Sequence, residues 1–246
     1  KIYGGDNNDT LKSGAGDDEL YGEGGDDKLV LSGVGTMIFD GGEGVDTLEA
    51  LVGDPSLWGA PEGFTYLWAN LVSGGAGLVV DGEFRQSDTL ISIENVTYVT
   101  DLATQVTGDD NENEIITGSG DDEIHGGDGN DILRGGDGND TIDGGAGDDE
   151  IYGGDGDDTI IQSGSGTQHY DGGEGTDTYK LIPDKAVFAN VDFDIKVDLN
   201  TGFSGLEDNP SHVLNDTLTN IENVDFSNVS WDLVLNGDAN ANILKG

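Results

Sequence analysis

The chain has 246 residues, of which 51 are Asp or Glu and 9 are Lys or Arg, so its formal net charge at pH 7 is −42. This charge excludes binding to nucleic acid and to anionic membranes, because both need basic side chains. The absence of cysteine excludes disulfides and cysteine-based zinc sites, and no apolar run approaches the ~20 residues of a membrane span, so we expect no membrane insertion. An acidic chain with 43 glycines and 34% hydrophobic residues either stays disordered or recruits cations.

Residues 4–49 form a first array of nine-residue repeats, with glycine recurring among the first four places of each unit. The eighth place is leucine in four of the five units, and the sixth place is aspartate in the same four. The remaining unit, at 31–39, has Thr36 in the sixth place, and the single extra residue Asp40 separates it from the last unit. The sixth-place aspartates of this array are Asp9, Asp18, Asp27 and Asp46.

Residues 50–107 contain more aromatic and β-branched residues than the array. The most apolar part, residues 57–72, includes Trp58, Phe64, Tyr66, Leu67 and Trp68. We interpret this part as a structural cap on the array. A sugar-stacking platform is the alternative, because the corresponding residues 181–190 contain no tryptophan and a functional patch would differ between modules.

Residues 108–180 form a second array, whose frame is unbroken over 126–161 as GGDGNDILR, GGDGNDTID, GGAGDDEIY and GGDGDDTII. A weaker unit with Asn113 in the sixth place opens the array. A unit with Thr167 in the sixth place follows the central units, and one extra residue, Asp171, precedes the last unit. The sixth-place aspartates are Asp122, Asp131, Asp140, Asp149, Asp158 and Asp177.

The stretch behind the second array matches the stretch behind the first. DTLTNIENV at 216–224 corresponds to DTLISIENV at 88–96, an offset of 216 − 88 = 128 residues, so the chain is a tandem of modules about 130 residues long. We expect it to be a slice of a longer array, because a further unit with Asn242 in the sixth place follows. The predicted segments are arrays at 1–49 and 108–180, β-rich capping or linking segments at 50–107 and 181–236, and the start of a third array at 237–246.

Alternating apolar residues predict strands in the second linking segment. Val191, Phe193, Ile195, Val197 and Leu199 alternate with polar residues. A second alternating run, Trp231, Leu233 and Leu235, precedes the third array. Together with the two IENV segments, we expect these strands to extend or cap the stack and cover its open edge.

Each nonapeptide divides into a six-residue turn, which its glycines permit, and a three-residue strand whose eighth-place side chain points inward. Two units then make one coil of eighteen residues, and stacked coils form two parallel sheets. Alternate units fall on the same edge, so aspartates eighteen residues apart stack at the ~4.8 Å strand spacing. Without a cation these carboxylates repel one another. With turn carbonyls they offer only hard oxygen ligands, a donor set that favours Ca²⁺, and we expect the chain to fold only with the metal.

The frame G-G-x-G-x-D-x-U-x, with U a large aliphatic residue, resembles the RTX nonapeptide repeat, a Ca²⁺-binding parallel β-helix repeat. The resemblance covers residues 4–49, 108–180 and 237–245. It implies an all-β fold: a parallel β-roll (β-helix) in tandem modules with additional capping or extending strands. It also implies a bacterial protein that leaves the cell by type I secretion and folds outside it.

The resemblance further implies the calcium ligands. The sixth-place aspartates named above would supply side chains, and carbonyls from turn places one to four would complete each shell. In the central units the glycines at the first, second and fourth places are Gly126, Gly127, Gly129, Gly135, Gly136, Gly138, Gly144, Gly145, Gly147, Gly153, Gly154 and Gly156.

Six aspartate pairs are expected to share an edge and to bind about six or more Ca²⁺ ions, with affinities of about 10⁻⁴–10⁻³ M. Sites that use Thr36, Thr167, Asn113 or Asn242 should be weak or empty, and the extra residue at 171 can shift the register of the last pair. The pairs are 9/27, 27/46, 122/140, 131/149, 140/158 and 158/177.

Catalysis finds little support in the sequence, so we expect no enzyme. His125 lies at a ninth place that faces water, His169 at an eighth place as a packed filler, and His212 in a polar loop. Acidic neighbours such as Asp148 and Asp149 mimic a glycosidase pair, but the repeat explains them as turn residues.

The expected function is a calcium-binding structural segment of a large secreted or cell-surface bacterial protein, adhesin-like, that stiffens on binding Ca²⁺. Its partners would be calcium and neighbouring modules of the same chain. Two alternatives remain open: a carbohydrate-binding or accessory module of an exported epimerase, lipase or protease, whose partner would be a polysaccharide, and the repeat region of a toxin.

Overall fold

The computed structural model describes residues 1–33, 35–51, 64–80, 83–182, 195–206, 215–227, 233–240 and 242–245. Over these residues the chain forms 25 β-strands and no helix, and no helix could therefore cross a membrane within them. The predicted all-β class is confirmed.

Most strands alternate between two sheets, which face each other across the core and run along the molecule. The 13-stranded sheet contains, in spatial order, β1 (Ile2–Asp6), β3 (Glu19–Gly24), β5 (Ile38–Glu43), β9 (Glu83–Ile91), β8 (Gly75–Val80), β7 (Phe64–Asn70), β11 (Thr104–Thr107), β13 (Glu123–Asp128), β15 (Thr141–Ala146), β17 (Thr159–Gln162), β19 (Thr178–Leu181), β23 (Asn223–Asp225) and β25 (Ile243–Lys245). The 12-stranded sheet contains β2 (Thr10–Lys12), β4 (Lys28–Leu31), β6 (Thr47–Leu51), β10 (Asn95–Val99), β12 (Glu114–Ile116), β14 (Ile132–Asp137), β16 (Glu150–Asp155), β18 (His169–Glu174), β22 (Asn215–Thr219), β21 (Phe203–Leu206), β20 (Ile195–Asp198) and β24 (Leu233–Asn236).

The coil of eighteen residues is confirmed by the strand register. In the second array Ile124 pairs with Ile142, and Ile142 pairs with Ile160, all in parallel strands. Within the arrays, successive strands of the chain thus lie in opposite sheets, and strands two apart are hydrogen-bonded neighbours. This is the predicted parallel β-roll.

The core is a double row of eighth-place side chains between the sheets. One large apolar residue per nonapeptide points inward, and its neighbours in the strand are half-buried or exposed except for Val30 and Ile161, which are also buried. The buried eighth-place residues are Leu11, Leu20, Leu29, Phe39, Leu48, Ile115, Ile124, Leu133, Ile142, Ile151, Ile160, Tyr170 and Tyr179.

The linking segments interrupt each sheet with antiparallel strands and then continue the stack. In the first module β7, β8 and β9 pair antiparallel within the 13-stranded sheet. In the second module β20, β21 and β22 do so within the 12-stranded sheet. The sheets are exchanged because the first array ends with β6 in the 12-stranded sheet, whereas the second array ends with β19 in the 13-stranded sheet. The IENV strands β10 and β23 extend the roll, as predicted.

The register of the two degenerate units differs from the sequence prediction. Leu20 pairs with Phe39 and Ile151 pairs with Tyr170, so the extra residue of each unit lies in the turn before the strand rather than at Asp40 or Asp171.

Met37 and Gln168 consequently occupy the sixth places, and both are buried, whereas Thr36 and Thr167 are exposed in the turns. The predicted sixth place for these two threonines was wrong, as was the predicted eighth place for His169, which is half-buried at the seventh. A slip of one residue exchanges the faces of a strand, and this register buries Tyr170 in place of the imidazole.

The structure describes part of the strands that the alternating apolar residues predict. Residues Ile195–Asp198 form β20 with Val197 fully buried, and Leu233–Asn236 form β24. The predictions for Trp58, Val191, Phe193, His212 and Trp231 lie outside the described residues, as do those for the side chains of Phe64, Tyr66, Ile195 and Leu233.

Candidate metal-binding columns

The residues in the sixth place of each unit stack into two columns along the edges of the roll. The first column precedes the strands of the 12-stranded sheet, and the second precedes those of the 13-stranded sheet. The first column contains Asp9, Asp27, Asp46, Glu94, Asn113, Asp131, Asp149, Gln168 and Asp216. The second contains Asp18, Met37, Asp88, Thr104, Asp122, Asp140, Asp158, Asp177, Glu222 and Asn242, with β8 and β7 inserted between Asp88 and Thr104.

The structure brings together all six predicted aspartate pairs. In each pair the backbone N–H of the earlier aspartate donates to Oδ1 of the later one, with N···O distances of 2.7–3.0 Å. The pair Asp158/Asp177 has a distance of 2.8 Å, the same as Asp140/Asp158, so the extra residue does not disturb it. One oxygen of each later carboxylate therefore fixes the spacing of consecutive turns.

The other carboxylate oxygen, Oδ2, is buried without a hydrogen-bond partner in eight of the ten predicted aspartates. Burial of an ionised oxygen without a partner is costly, so each of these oxygens favours a positive group or a proton beside it. The eight aspartates are Asp27, Asp46, Asp122, Asp131, Asp140, Asp149, Asp158 and Asp177.

Main-chain oxygens converge on the same points. A Cβ on Gly126 would overlap both Asp131 Oδ2 and the carbonyl oxygen of Gly144 in the next coil. Gly22, Gly135 and Gly153 occupy the same position in their units, each between an orphaned Oδ2 and a carbonyl of the following coil. Glycine in the first place therefore leaves the concave space that the oxygens surround.

The predicted glycines of the second and fourth places shape the turn. Gly127, Gly136, Gly145 and Gly154 in the second place, and Gly129, Gly138, Gly147 and Gly156 in the fourth, all have positive φ angles between 89° and 147°. At Gly136, for example, a Cβ would also overlap the carbonyl oxygen of Gly118 in the previous coil. Only glycine combines this backbone conformation with so close a stacking of turns.

Without bound metal, several aspartates of the columns have raised pKa values. Burial raises the pKa of both Asp131 and Asp140 to about 7, although backbone N–H donors oppose the shift. Burial likewise raises the pKa of Asp46 and Asp177 to about 6. Neighbouring carboxylates of the same column add to each shift, so the columns favour protons or cations over bare charge.

The donor set fits calcium. Among the described residues no group of three or more His, Cys, Asp or Glu side chains converges, and the oxygens that lie beside the buried Oδ2 atoms are main-chain carbonyls. Carboxylate and carbonyl oxygens without nitrogen or sulfur are ligands for hard cations, and an irregular shell of many oxygens suits Ca²⁺ better than Mg²⁺.

The two other predicted aspartates and the column asparagines differ from this pattern. Asp9 and Asp18 are half-buried, and Asp18 Oδ2 accepts the N–H of Gly14 at 3.0 Å. Asn113 Oδ1 accepts the N–H of Asp109 at 2.8 Å, while its Nδ2 donates to the carbonyl of Glu94 at 2.7 Å. The amide thus takes the place that a cation would hold beside an aspartate.

Sequence reasoning missed four acidic residues of the columns. Asp88 and Asp216 accept the N–H groups of Met37 and Gln168. Glu94 and Glu222 continue the columns through the IENV segments. The sequence contains a signal for Asp88 and Asp216, since DTL in both linking segments has the Asp-x-U spacing of a nonapeptide.

A second, outer ladder was also missed. The fifth-place side chain accepts the N–H of the fifth-place residue in the following coil, as Asn130 Oδ1 does from Asp148 at 2.9 Å. Asn139 and Asp157 repeat the bond at the same distance. These bonds run opposite to those of the columns, so each turn is tied to its neighbour in both directions.

No described histidine lies in a catalytic arrangement. His125 Nε2 is 3.1 Å from Glu123 Oε1 on the exposed face, and His169 contacts the ring of Tyr152 edge-on. Trp68 is half-buried, and its ring lies against Gly75, where a Cβ would overlap the indole. This packing agrees with a structural role for Trp68.

The sequence comparisons agree with the geometry of the columns. The family model described as RTX calcium-binding nonapeptide repeat (4 copies) matches residues 2–33, 107–142 and 134–161. No curated protein matches the chain. The matched residues fall in the two arrays, where the orphaned carboxylates lie.

Proposed function

Because this chain carries RTX calcium-binding nonapeptide repeats, we propose that it is a calcium-dependent structural module whose aspartate columns bind Ca²⁺ between consecutive coils. Each site would use the side chains of two stacked aspartates and carbonyl oxygens of the glycine turns, including those of the central units. Bound Ca²⁺ supplies positive charge to a set of buried carboxylates.

The observation that carries this proposal is the row of buried Oδ2 atoms without partners. In Asp27, Asp131, Asp140 and Asp158 the fold fixes one carboxylate oxygen by a backbone hydrogen bond, and the other oxygen lies beside the same first-place glycine as a main-chain carbonyl of the following coil. A row of such carboxylates opposes folding unless cations occupy it.

Circular dichroism in chelator and in millimolar Ca²⁺, together with equilibrium dialysis, tests the proposal. We expect coil in chelator, β-structure with calcium, and about six or more ions bound per chain. A β-signal of full size in chelator, or a folded chain that binds no calcium, would contradict it.

We further propose that the module belongs to a secreted or cell-surface bacterial protein of adhesin-like type that is exported by type I secretion, and that it has no catalytic role. RTX repeats are typical of such exported proteins, and the modular recurrence suits an extended spacer. Thirteen strands at ~4.8 Å give a rod about 58 Å long. Small-angle X-ray scattering should show this rod only in calcium, and an unchanged scattering profile on adding chelator would contradict the spacer role.

A further inference from the structure

Each array ends on a segment that is not a nonapeptide but takes the place of one. In the first module β10 pairs directly with β6, with Val96 opposite Leu48. Glu94 therefore lies where the next sixth-place aspartate of the column would lie. In the second module Glu222 has the same position next to Asp177.

Glu94 makes the bond that a column aspartate makes. The N–H of Asp46 donates to Glu94 Oε2 at 2.8 Å, and the N–H groups of Glu94 and Asn95 donate to the carbonyl of Asp46 at 3.1 and 2.9 Å. Asp46 is fully buried, and its Oδ2 has no hydrogen-bond partner. The last aspartate of the array therefore faces the linking segment with an unmatched charge.

The linking segment also supplies a carbonyl at the expected point. A Cβ on Gly41 would overlap Asp46 Oδ2 and the carbonyl oxygen of Ser92. Within the array, the equivalent Gly22 lies between Asp27 Oδ2 and the carbonyl oxygen of Gly41. Ser92 thus replaces the glycine carbonyl of a regular site.

The second module repeats this arrangement on the other edge of the roll. The N–H of Asp177 donates to Glu222 Oε2 at 2.9 Å, and Asp177 is fully buried with Oδ2 unpartnered. A Cβ on Gly172 would overlap this oxygen and the carbonyl oxygen of Asn220. The arrangement is therefore independent of which sheet the strands join.

The two residues that supply these carbonyls, Ser92 and Asn220, share an unusual backbone conformation. Ser92 has φ 48° and Asn220 has φ 51°, and among the described non-glycine residues only Glu23 shares a positive φ. This region is unfavourable for residues with a Cβ. The first-place glycines Gly41, Gly144 and Gly153, whose carbonyls hold the equivalent position in regular units, have no positive φ, so the linking segments bring their carbonyls there by a different turn.

We propose that each array is closed by a further divalent-cation site, formed jointly by the last nonapeptide and the linking segment, and suited to Ca²⁺ by its all-oxygen donors. It rests on the proposed calcium-binding function of the columns. The ligands would be the orphaned aspartate oxygen, a carbonyl and a glutamate carboxylate: Asp46, Ser92 and Glu94 in the first module, and Asp177, Asn220 and Glu222 in the second.

The surroundings define the limits of the site. A cleft of about 610 Å³ opens beside Glu94 and is lined also by Asp110 and Glu112, which gives a cation an acidic approach. On the far side, Asn113 Nδ2 donates to the Glu94 carbonyl at 2.7 Å, and Asn242 Nδ2 donates to that of Glu222 at 2.8 Å. The amides end the run of cation sites immediately after each glutamate.

The test compares calcium stoichiometry in glutamate variants of the whole chain. Glu94→Gln and Glu222→Gln keep an oxygen that can accept the aspartate N–H but remove the charge. We expect equilibrium dialysis to show one ion fewer in each single variant and two fewer in the double variant. The matched control is Glu43→Gln with Glu174→Gln, which removes the same charge from exposed third places of the same final units.

The outcomes separate this proposal from the one on which it rests. Equal stoichiometry and equal affinity in the double variant, the control and the wild type would overturn the junction sites while leaving the columns intact. A wild-type chain that binds no calcium would instead overturn the proposed function. Circular dichroism in calcium must show the wild-type β-signal in the variants, and if the double variant fails to show it, the single variants decide the outcome.

Discussion

At the scale of the residue, the two oxygens of one aspartate carboxylate differ in their contacts. Asp140 Oδ1 accepts the N–H of Asp122 at 2.8 Å, and its Oδ2 is buried without a partner. The N–H of Asp140 donates in turn to Asp158. Each interior aspartate of a column therefore joins two coils and contributes to two of the proposed sites, one on either side.

Replacement of Asp140 by asparagine tests this double role. Asp140→Asn keeps an acceptor for Asp122 but removes the ligand oxygen of two proposed sites, so we expect up to two fewer bound ions and a several-fold higher calcium concentration at the folding midpoint. Asp137→Asn, an exposed third-place change in the same unit, is the control. Identical calcium titrations of the two variants would contradict the proposed role of Asp140.

At the scale of the element, each short strand contributes one buried side chain to the roll. Ile142 is fully buried and pairs with Ile124 on one side and Ile160 on the other. A core this narrow has no second layer to close around a cavity. The strands are therefore sensitive to truncation even where calcium is saturating.

Ile142→Ala should lower the free energy of unfolding in saturating calcium by about 2–5 kcal/mol, because a buried isoleucine is truncated between two fixed neighbours. Thr141→Ala, on the half-buried adjacent position, should cost about 1 kcal/mol or less. Denaturant unfolding followed by circular dichroism measures both values. Similar losses in the two variants would show that the eighth place is not the principal core position.

At the scale of the whole molecule, the net charge of −42 sets the conditions for folding. The columns of both arrays place carboxylates in line, and burial raises the pKa of Asp131 and Asp140 to about 7 in the absence of metal. Protons and calcium therefore compete for the same oxygens.

This competition predicts the pH dependence. In chelator, the folded state holds protons that the unfolded chain, with aspartate pKa values of about 3.9, has released. Protonation thus stabilises the metal-free fold fully below pH about 4, and this stability is lost as the pH rises through about 6–7. Circular dichroism in chelator should show more β-structure at pH 5 than at pH 8, and the calcium concentration that half-saturates the folded chain should rise as the pH falls. The reverse order of either series would contradict the prediction.

The sequence alone determined the repeat frame, the coil of eighteen residues, the inward eighth place and the six aspartate pairs. These follow from a period of nine with glycine turns, because such a chain has one way to place every second unit on the same edge. The matching DTL and IENV segments also indicated the tandem modules.

Only the tertiary structure decided the register of the degenerate units, the exchange of sheets between modules and the part played by Glu94 and Glu222. One extra residue can be absorbed anywhere in a turn, and only packing between the sheets selects Phe39 and Tyr170 as the buried side chains. Likewise, Glu94 contacts Asp46 although the two are 48 positions apart in the sequence, a contact that no local pattern contains because β7, β8 and β9 lie between them in the chain.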